Sequence, residues 1–228
     1  MSEMPFNPKR RSFLAGVTGL ASVGSMALSA RRAEAGDAAP QAAPPRAATP
    51  PKWDTAWIDE FKGKHKQLYD LMWHTLRPNT LNPPMFYFDT HREISGLEYP
   101  DVNVVIGVNT SFAINAGDAL WARFKLGERF EIKDPATGQP AVRNIYLGTG
   151  KDDRRSSVRL LQARGAVFMQ CNVALSGAIS SLATEFGKPL AETDAEVRAG
   201  LNPGVKIVPA LTWAVGMLQE RGFTYEKL

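Results

Sequence analysis

The chain of 228 residues contains only one cysteine, Cys171, and three histidines, His65, His74 and His91. A single cysteine excludes an intrachain disulfide. The histidines are not spaced as HxxxH or HExxH, and no second cysteine is available to form a soft-metal site. We therefore predict no metal centre, and we interpret His65 as a solvated side chain.

Two motifs that would indicate common enzyme classes are also missing. The nucleophile elbow G-x-S-x-G of the serine hydrolases is absent. The segment "LGTGKDDRR" resembles a phosphate-binding loop, but it lacks the required G-x-x-x-x-G-K-[ST] because Asp152 follows Lys151. We interpret this segment as a turn that leads into a helix.

The chain also lacks a long, strongly apolar run. A membrane-spanning helix needs about 20 strongly apolar residues, whereas Phe13–Ala30 is rich in Ala, Gly and Ser. Arg10 and Arg11 precede this run, and "AEA" at Ala33–Ala35 is a small-x-small cleavage site. We predict a twin-arginine signal peptide over residues 1–35 and a periplasmic mature protein. The alternative is an uncleaved N-terminal anchor.

The excess of positive charge lies mainly in this signal. The formal net charge is +4, but residues 1–35 hold five basic and two acidic side chains, which leaves 22 Lys and Arg against 21 Asp and Glu. We therefore predict no nucleic-acid partner and no stable membrane insertion after cleavage. Residues 36–52 are rich in Ala and Pro and are predicted to form a linker. Residues 53–228 are sufficient for one domain.

Short β-branched runs predict the strands of this domain. Val102–Val108 and the segments "AVFMQC" and "GVKIVPA" are typical of buried strands. Lys64–Leu71 is a candidate first strand, and the closing "FTYEKL" is a candidate edge strand. We expect Pro78, Pro83 and Pro84 to interrupt any long helix between the first two strands.

Helical segments alternate with these strands. A helix is predicted over Ala116–Phe124, ended by Gly127, and another in "DDRRSSVRLLQARG", with Asp152 and Asp153 at its start. Two more follow in "NVALSGAISSLATEFG" and "LTWAVGMLQERG", stopped by Gly187 and Gly222. The alternation predicts a small α/β fold with a doubly wound, mostly parallel sheet and helices on both faces.

In such sheets, function gathers where strands end at their carboxyl edge. Cys171 lies where a strand ends and a helix begins, a position that favours the nucleophilic thiolate. It is therefore a candidate catalytic residue, and the alternative is a small buried hydrophobe. The candidate ligand-binding residues at the same edge are Asn109, Thr110, Ser111, Asn115 and Asn172. The alternative role for this polar group is helix capping.

The segments "LLQARGAVFMQCNVAL" and "LNPGVKIVPALTWAVGMLQERGFTY" resemble the DsrE/DsrF-like sulfur-relay superfamily, and "VNVVIGVNTSFAINAGDALW" is similar to its second strand and following loop. The resemblance implies a DsrE-like doubly wound fold that assembles as trimers or hexamers. It also implies a persulfide on Cys171, a sulfur donor or acceptor protein as partner, and no organic cofactor. The chain departs from the pattern in residues 129–155 and near Pro83.

Many members of that superfamily lack the sulfur-transfer role. Two functions therefore stay open: a periplasmic protein that handles sulfane sulfur on Cys171, and a non-catalytic oligomeric ligand-binding or scaffold protein in which Cys171 is structural. The two differ in the reactivity of the thiol in the folded protein.

The first prediction concerns export. Replacing both Arg10 and Arg11 with Lys is expected to leave the precursor in the cytoplasm, because the twin-arginine pair is what the pathway recognises. The measurement is cell fractionation with N-terminal sequencing, in which the unmodified chain is expected to begin at or near Gly36. Unchanged export of the double variant would contradict the signal assignment.

Overall fold

The computed structural model describes residues 53–71, 75–148 and 156–228. The predicted signal peptide and linker, His74, Asp152 and Asp153 lie outside the described residues. The described part belongs to the compact unit Thr49–Leu228.

Five strands form a single sheet in the described part of the chain. They are β1 (His65–Leu71), β2 (Val102–Val108), β3 (Val167–Cys171), β4 (Lys206–Val208) and β5 (Thr224–Lys227). All neighbours pair in parallel, in the order β4-β3-β2-β1-β5. The predicted α/β fold is therefore confirmed, including the first strand and the closing edge strand, and the sheet is entirely parallel.

The strands are joined by helices. The α-helices are α1 (Asn82–Ser95), α2 (Asp118–Arg123), α3 (Leu126–Arg129), α4 (Val158–Ala163), α5 (Asn172–Glu185), α6 (Leu190–Ala199) and α7 (Leu211–Glu220). The 3₁₀ helices are η1 (Ala56–Asp59) and η2 (Phe112–Asn115). None of the helices in the described ranges has the length and apolar character needed to cross a bilayer.

The path of the chain divides these helices between two faces. From β1 to β4 each new strand is added on the same side, so successive right-handed crossovers place α1 to α6 on one face. The last connection returns across the sheet to put β5 beside β1, and α7 therefore covers the other face. Two separate clusters of buried side chains match this division, one under α1, α2, α4, α5 and α6, and one under α7 and η1.

Two expectations about helices need correction, and one further helix was missed. Pro83 and Pro84 do not prevent a long helix, because they lie in the first turn of α1, where backbone N–H groups have no intrahelical partner. Gly127 does not end a helix but lies inside α3, after α2 has ended at Arg123. The charged segment that forms α6 was not predicted as a helix. Gly187 and Gly222 follow α5 and α7 with φ of +60° and +85°, as expected of helix stops.

The second prediction compares two glycines. A Cβ added at Gly127 would lie 2.0 Å from the carbonyl oxygen of Ala141, whereas a Cβ added at Gly177, exposed on α5, would meet nothing within 4 Å. Gly127→Ala is therefore expected to lower the free energy of unfolding by about 1–3 kcal/mol. Gly177→Ala is expected to raise it by about 0.5–1 kcal/mol, because alanine favours the helix. Urea unfolding measures both changes, and equal effects of the two substitutions would contradict this packing.

Candidate functional site

The thiol of Cys171 lies at the carboxyl end of β3, between the starts of two helices. Cys171 pairs with Val208 of β4 and is the residue immediately before α5. Its Sγ accepts a hydrogen bond of 3.4 Å from the backbone N–H of Leu211, the first residue of α7. The first N–H groups of a helix lack intrahelical partners and carry partial positive charge. The sulfur therefore satisfies one of the unpaired N–H groups at the start of α7.

The same thiol is buried. Cys171 is 4% exposed and belongs to the apolar cluster beneath α7, with Met169, Val208 and Leu211. A sulfur carrier needs a thiol that its partners can reach, and the folded chain does not expose the side chain of Cys171 at the strand end. A reagent can reach Sγ only after a local displacement of the residues that cover it.

The preceding residue, Gln170, organises the opposite side of β3. Its side chain is fully buried, and strand alternation points it to the face away from Cys171. Its Oε1 accepts a hydrogen bond of 3.1 Å from Asn115, and its Nε2 donates to the carbonyl oxygens of Asn109 at 2.9 Å and Cys171 at 3.3 Å. Sequence reasoning placed Gln170 in a loop after the strand and did not select it as a site residue, whereas the structure places it inside β3.

The structure does not bring the predicted polar residues to the thiol as one site. Asn115 is fully buried against Gln170, so it faces away from Sγ, and its Oδ1 has no hydrogen-bond partner among the described residues. Asn109 and Asn172 are half-buried, Thr110 is exposed, and Ser111 is 6% exposed. Ser111 makes no capping hydrogen bond with its side chain at η2.

Another buried side chain, Asn144, supports the loop after β2. Its Nδ2 lies within hydrogen-bonding distance of the carbonyl oxygens of Ala113, Ile114 and Ala116, the shortest contact being 2.7 Å to Ala116. Its Oδ1 accepts from the backbone N–H of Tyr146 at 2.9 Å. These bonds satisfy backbone groups of a loop that has little regular secondary structure. The side chain of Asn144 thus fixes the path of this loop beside the end of β3.

A buried carboxylate completes this edge at β1. Asp70 is 3% exposed, and its Oδ2 accepts a hydrogen bond of 2.7 Å from the hydroxyl of Tyr225 on β5. The hydrogen bond to Asp70, with burial, raises the pKa of Tyr225 to about 12. The phenol therefore stays protonated at physiological pH and remains a donor that ties the edge strand to β1.

Two histidines meet at the other end of the sheet. The ring centroids of His65, the first residue of β1, and His91, on α1, are 4.4 Å apart, and Tyr87 lies 4.6 Å from His91. Burial and the neighbouring His65 lower the pKa of His91. His65 is half-buried rather than fully solvated. In the described part of the chain, no group of three or more His, Cys, Asp or Glu residues is placed to hold a metal ion.

The chain matches no family model, no curated protein and no solved structure. The fold and the environment of Cys171 are therefore the basis for assigning a function.

The third prediction tests the N–H that points at the sulfur. Leu211→Pro removes that donor, and proline is well tolerated at the first position of a helix. The preceding Ala210 has the extended backbone (φ −146°, ψ 142°) that proline requires of its neighbour. Leu211→Ala is the matched control, since it loses the same buried side chain but keeps the N–H. The thiol of the proline variant is expected to be alkylated roughly threefold to tenfold more slowly at neutral pH, because a charge-assisted hydrogen bond is lost. Equal alkylation rates for the two variants would show that the N–H does not stabilise the thiolate.

Proposed function

We propose that this protein is an exported, DsrE-like sulfur carrier that holds sulfane sulfur as a persulfide on Cys171. The observation that carries the proposal is the hydrogen bond from Leu211 N–H to Sγ, at a point where two helices begin. Both helix starts favour an anion, and the thiolate and the persulfide are both anions at neutral pH. The activity would be sulfur transfer, with no organic cofactor.

The chemistry is a pair of displacements at sulfur. The thiolate of Cys171 attacks the outer sulfur of a donor persulfide or polysulfide, a new S–S bond forms, and the donor leaves as its own thiolate. A thiolate on the acceptor then attacks the outer sulfur carried by Cys171 and releases the Cys171 thiolate. Each step breaks one bond to sulfur and forms another, so neither an oxidant nor a reductant is consumed.

The lack of a second cysteine is consistent with this role. A neighbouring thiol in the same chain would attack the inner sulfur of the persulfide. An intrachain disulfide would then form, and the outer sulfur would leave as sulfide. Cys171 has no such partner in the chain. The sulfur therefore stays on Cys171 until an acceptor from outside the chain arrives. Burial of Sγ protects the persulfide in an oxidising compartment, and donor and acceptor must displace the residues that cover it.

The second candidate is a non-catalytic oligomeric ligand-binding or scaffold protein in the same compartment. The 4% exposure of Cys171 favours this candidate, because a thiol among Met169, Val208 and Leu211 also behaves as an ordinary packing residue. Under this alternative, the only role of Sγ is to accept the hydrogen bond from the backbone N–H of Leu211, the first residue of α7. Trimer or hexamer formation, which the resemblance implies, is compatible with both candidates.

The fourth prediction separates the two candidates. Incubating the folded protein with inorganic polysulfide is expected to add the mass of one or more sulfur atoms, removable by dithiothreitol and detected by intact-protein mass spectrometry. Cys171→Ser is expected to abolish the addition but keep the fold, because serine is nearly isosteric and can still accept the Leu211 N–H. Circular dichroism of this variant controls for misfolding.

The contrary outcome is equally specific. A native thiol that ignores both polysulfide and iodoacetamide until urea unfolds the protein would be a packing residue. That result would reject the carrier and favour the ligand-binding or scaffold protein.

A further inference from the structure

The pair formed by His65 and His91 lies away from the thiol and has no part in the proposed sulfur chemistry. His65 begins β1, whereas Cys171 ends β3, so the two sites are at opposite ends of an all-parallel sheet. The imidazole rings are 4.4 Å apart between centroids and inclined by 43°. The side chains come from a strand and a helix that are 26 positions apart in the chain, so only the folded protein brings them together.

Neither imidazole donates a hydrogen bond to, or accepts one from, a residue in the described ranges, although both side chains are half-buried. A neutral imidazole has one donor and one acceptor nitrogen, and partly buried polar groups of this kind usually have partners. Here the ring of His91 instead contacts the rings of both His65 and Tyr87. The nitrogens are thus available to a ligand that accepts electron pairs from imidazole.

We propose that His65 and His91 together bind one divalent transition-metal ion that favours imidazole, such as Zn²⁺. Water fills the remaining coordination positions, because the described chain brings no third His, Cys, Asp or Glu ligand to the pair. Imidazole is a favoured ligand of Zn²⁺, Cu²⁺ and Ni²⁺, whereas Mg²⁺ and Ca²⁺ prefer oxygen ligands. An ion with open positions can also take a ligand from a substrate or a partner protein.

The observed spacing is close to what this coordination needs. With Zn–N bonds of about 2.0–2.1 Å and a tetrahedral angle, two ligating rings have centroids about 5 Å apart. The rings of His65 and His91 are at 4.4 Å. Coordination therefore requires the two ring centroids to separate by less than about 1 Å, a distance comparable to the displacement that a small change in side-chain torsion angles produces.

The ligands come from two elements that pack against each other, so the ion joins β1 to α1. A ligand that binds only the folded state raises the stability of that state. Zinc is therefore expected to raise the melting temperature as well as to bind. A pair of rings that merely pack would give neither effect.

The fifth prediction is a zinc titration of the full chain carrying Cys171→Ser, so that the thiol cannot contribute. Isothermal titration calorimetry is expected to give one Zn²⁺ per chain, and thermal unfolding is expected to shift upward with added Zn²⁺. His65→Gln and His91→Phe are each expected to weaken binding roughly tenfold or more and to abolish the thermal shift. The phenylalanine keeps a ring against Tyr87, so the metal-free protein is expected to stay folded.

The chain supplies its own matched control in His74, the third histidine. His74→Gln is expected to leave both the affinity and the thermal shift unchanged. Three results would overturn the proposal: no binding at Zn²⁺ concentrations up to about 1 mM, unchanged binding in either the His65 or the His91 variant, or an equal loss in the His74 variant. Any of them would leave the two rings as a packing contact.

Discussion

A parallel sheet must be covered on both faces, and in the described part of the chain α7 and η1 cover one of them. The strand order requires the chain to cross from β4 to the far side of β1, so α7 starts above the carboxyl ends of the central strands. Gly107 of β2 permits a close approach, since a Cβ there would lie 2.8 Å from Leu211 Cδ1 and from Met169 Cε. The crossover therefore places the first N–H of α7 within reach of Cys171.

Strand alternation then divides the carboxyl edge of the sheet into two halves. Cys171 points to the α7 face, and Gln170 points to the face of the other helices, where Asn115 contacts it. The side chain of Gln170 also donates a hydrogen bond to the backbone carbonyl oxygen of Cys171, which links the two halves. The polar half therefore positions the backbone from which the thiol projects, and the apolar half determines the environment of the sulfur.

Local sequence patterns predicted the sheet well because its buried strands are short β-branched runs between turns. The same patterns failed for two helices, α1 and α6. Prolines break helix interiors but suit the first turn of α1. The many charges of α6 obscure its narrow buried side, which consists of Thr193 and Val197. The strand–helix junction at Cys171 was predictable, whereas contacts between distant residues, such as Asn115 with Gln170 and His65 with His91, depend on the assembled fold.

The hydrogen bond to Cys171 has a physical cause that is independent of function. If an apolar side chain replaced the thiol, the first N–H of α7 would be buried without an acceptor, a loss of about 1–3 kcal/mol. A neutral thiol is a weak acceptor, and serine would satisfy the N–H better. Capping alone therefore does not explain the choice of cysteine over serine. Unlike serine, cysteine also packs as a small hydrophobe, and here its sulfur lies among Met169, Val208 and Leu211 while it accepts the hydrogen bond from the first residue of α7.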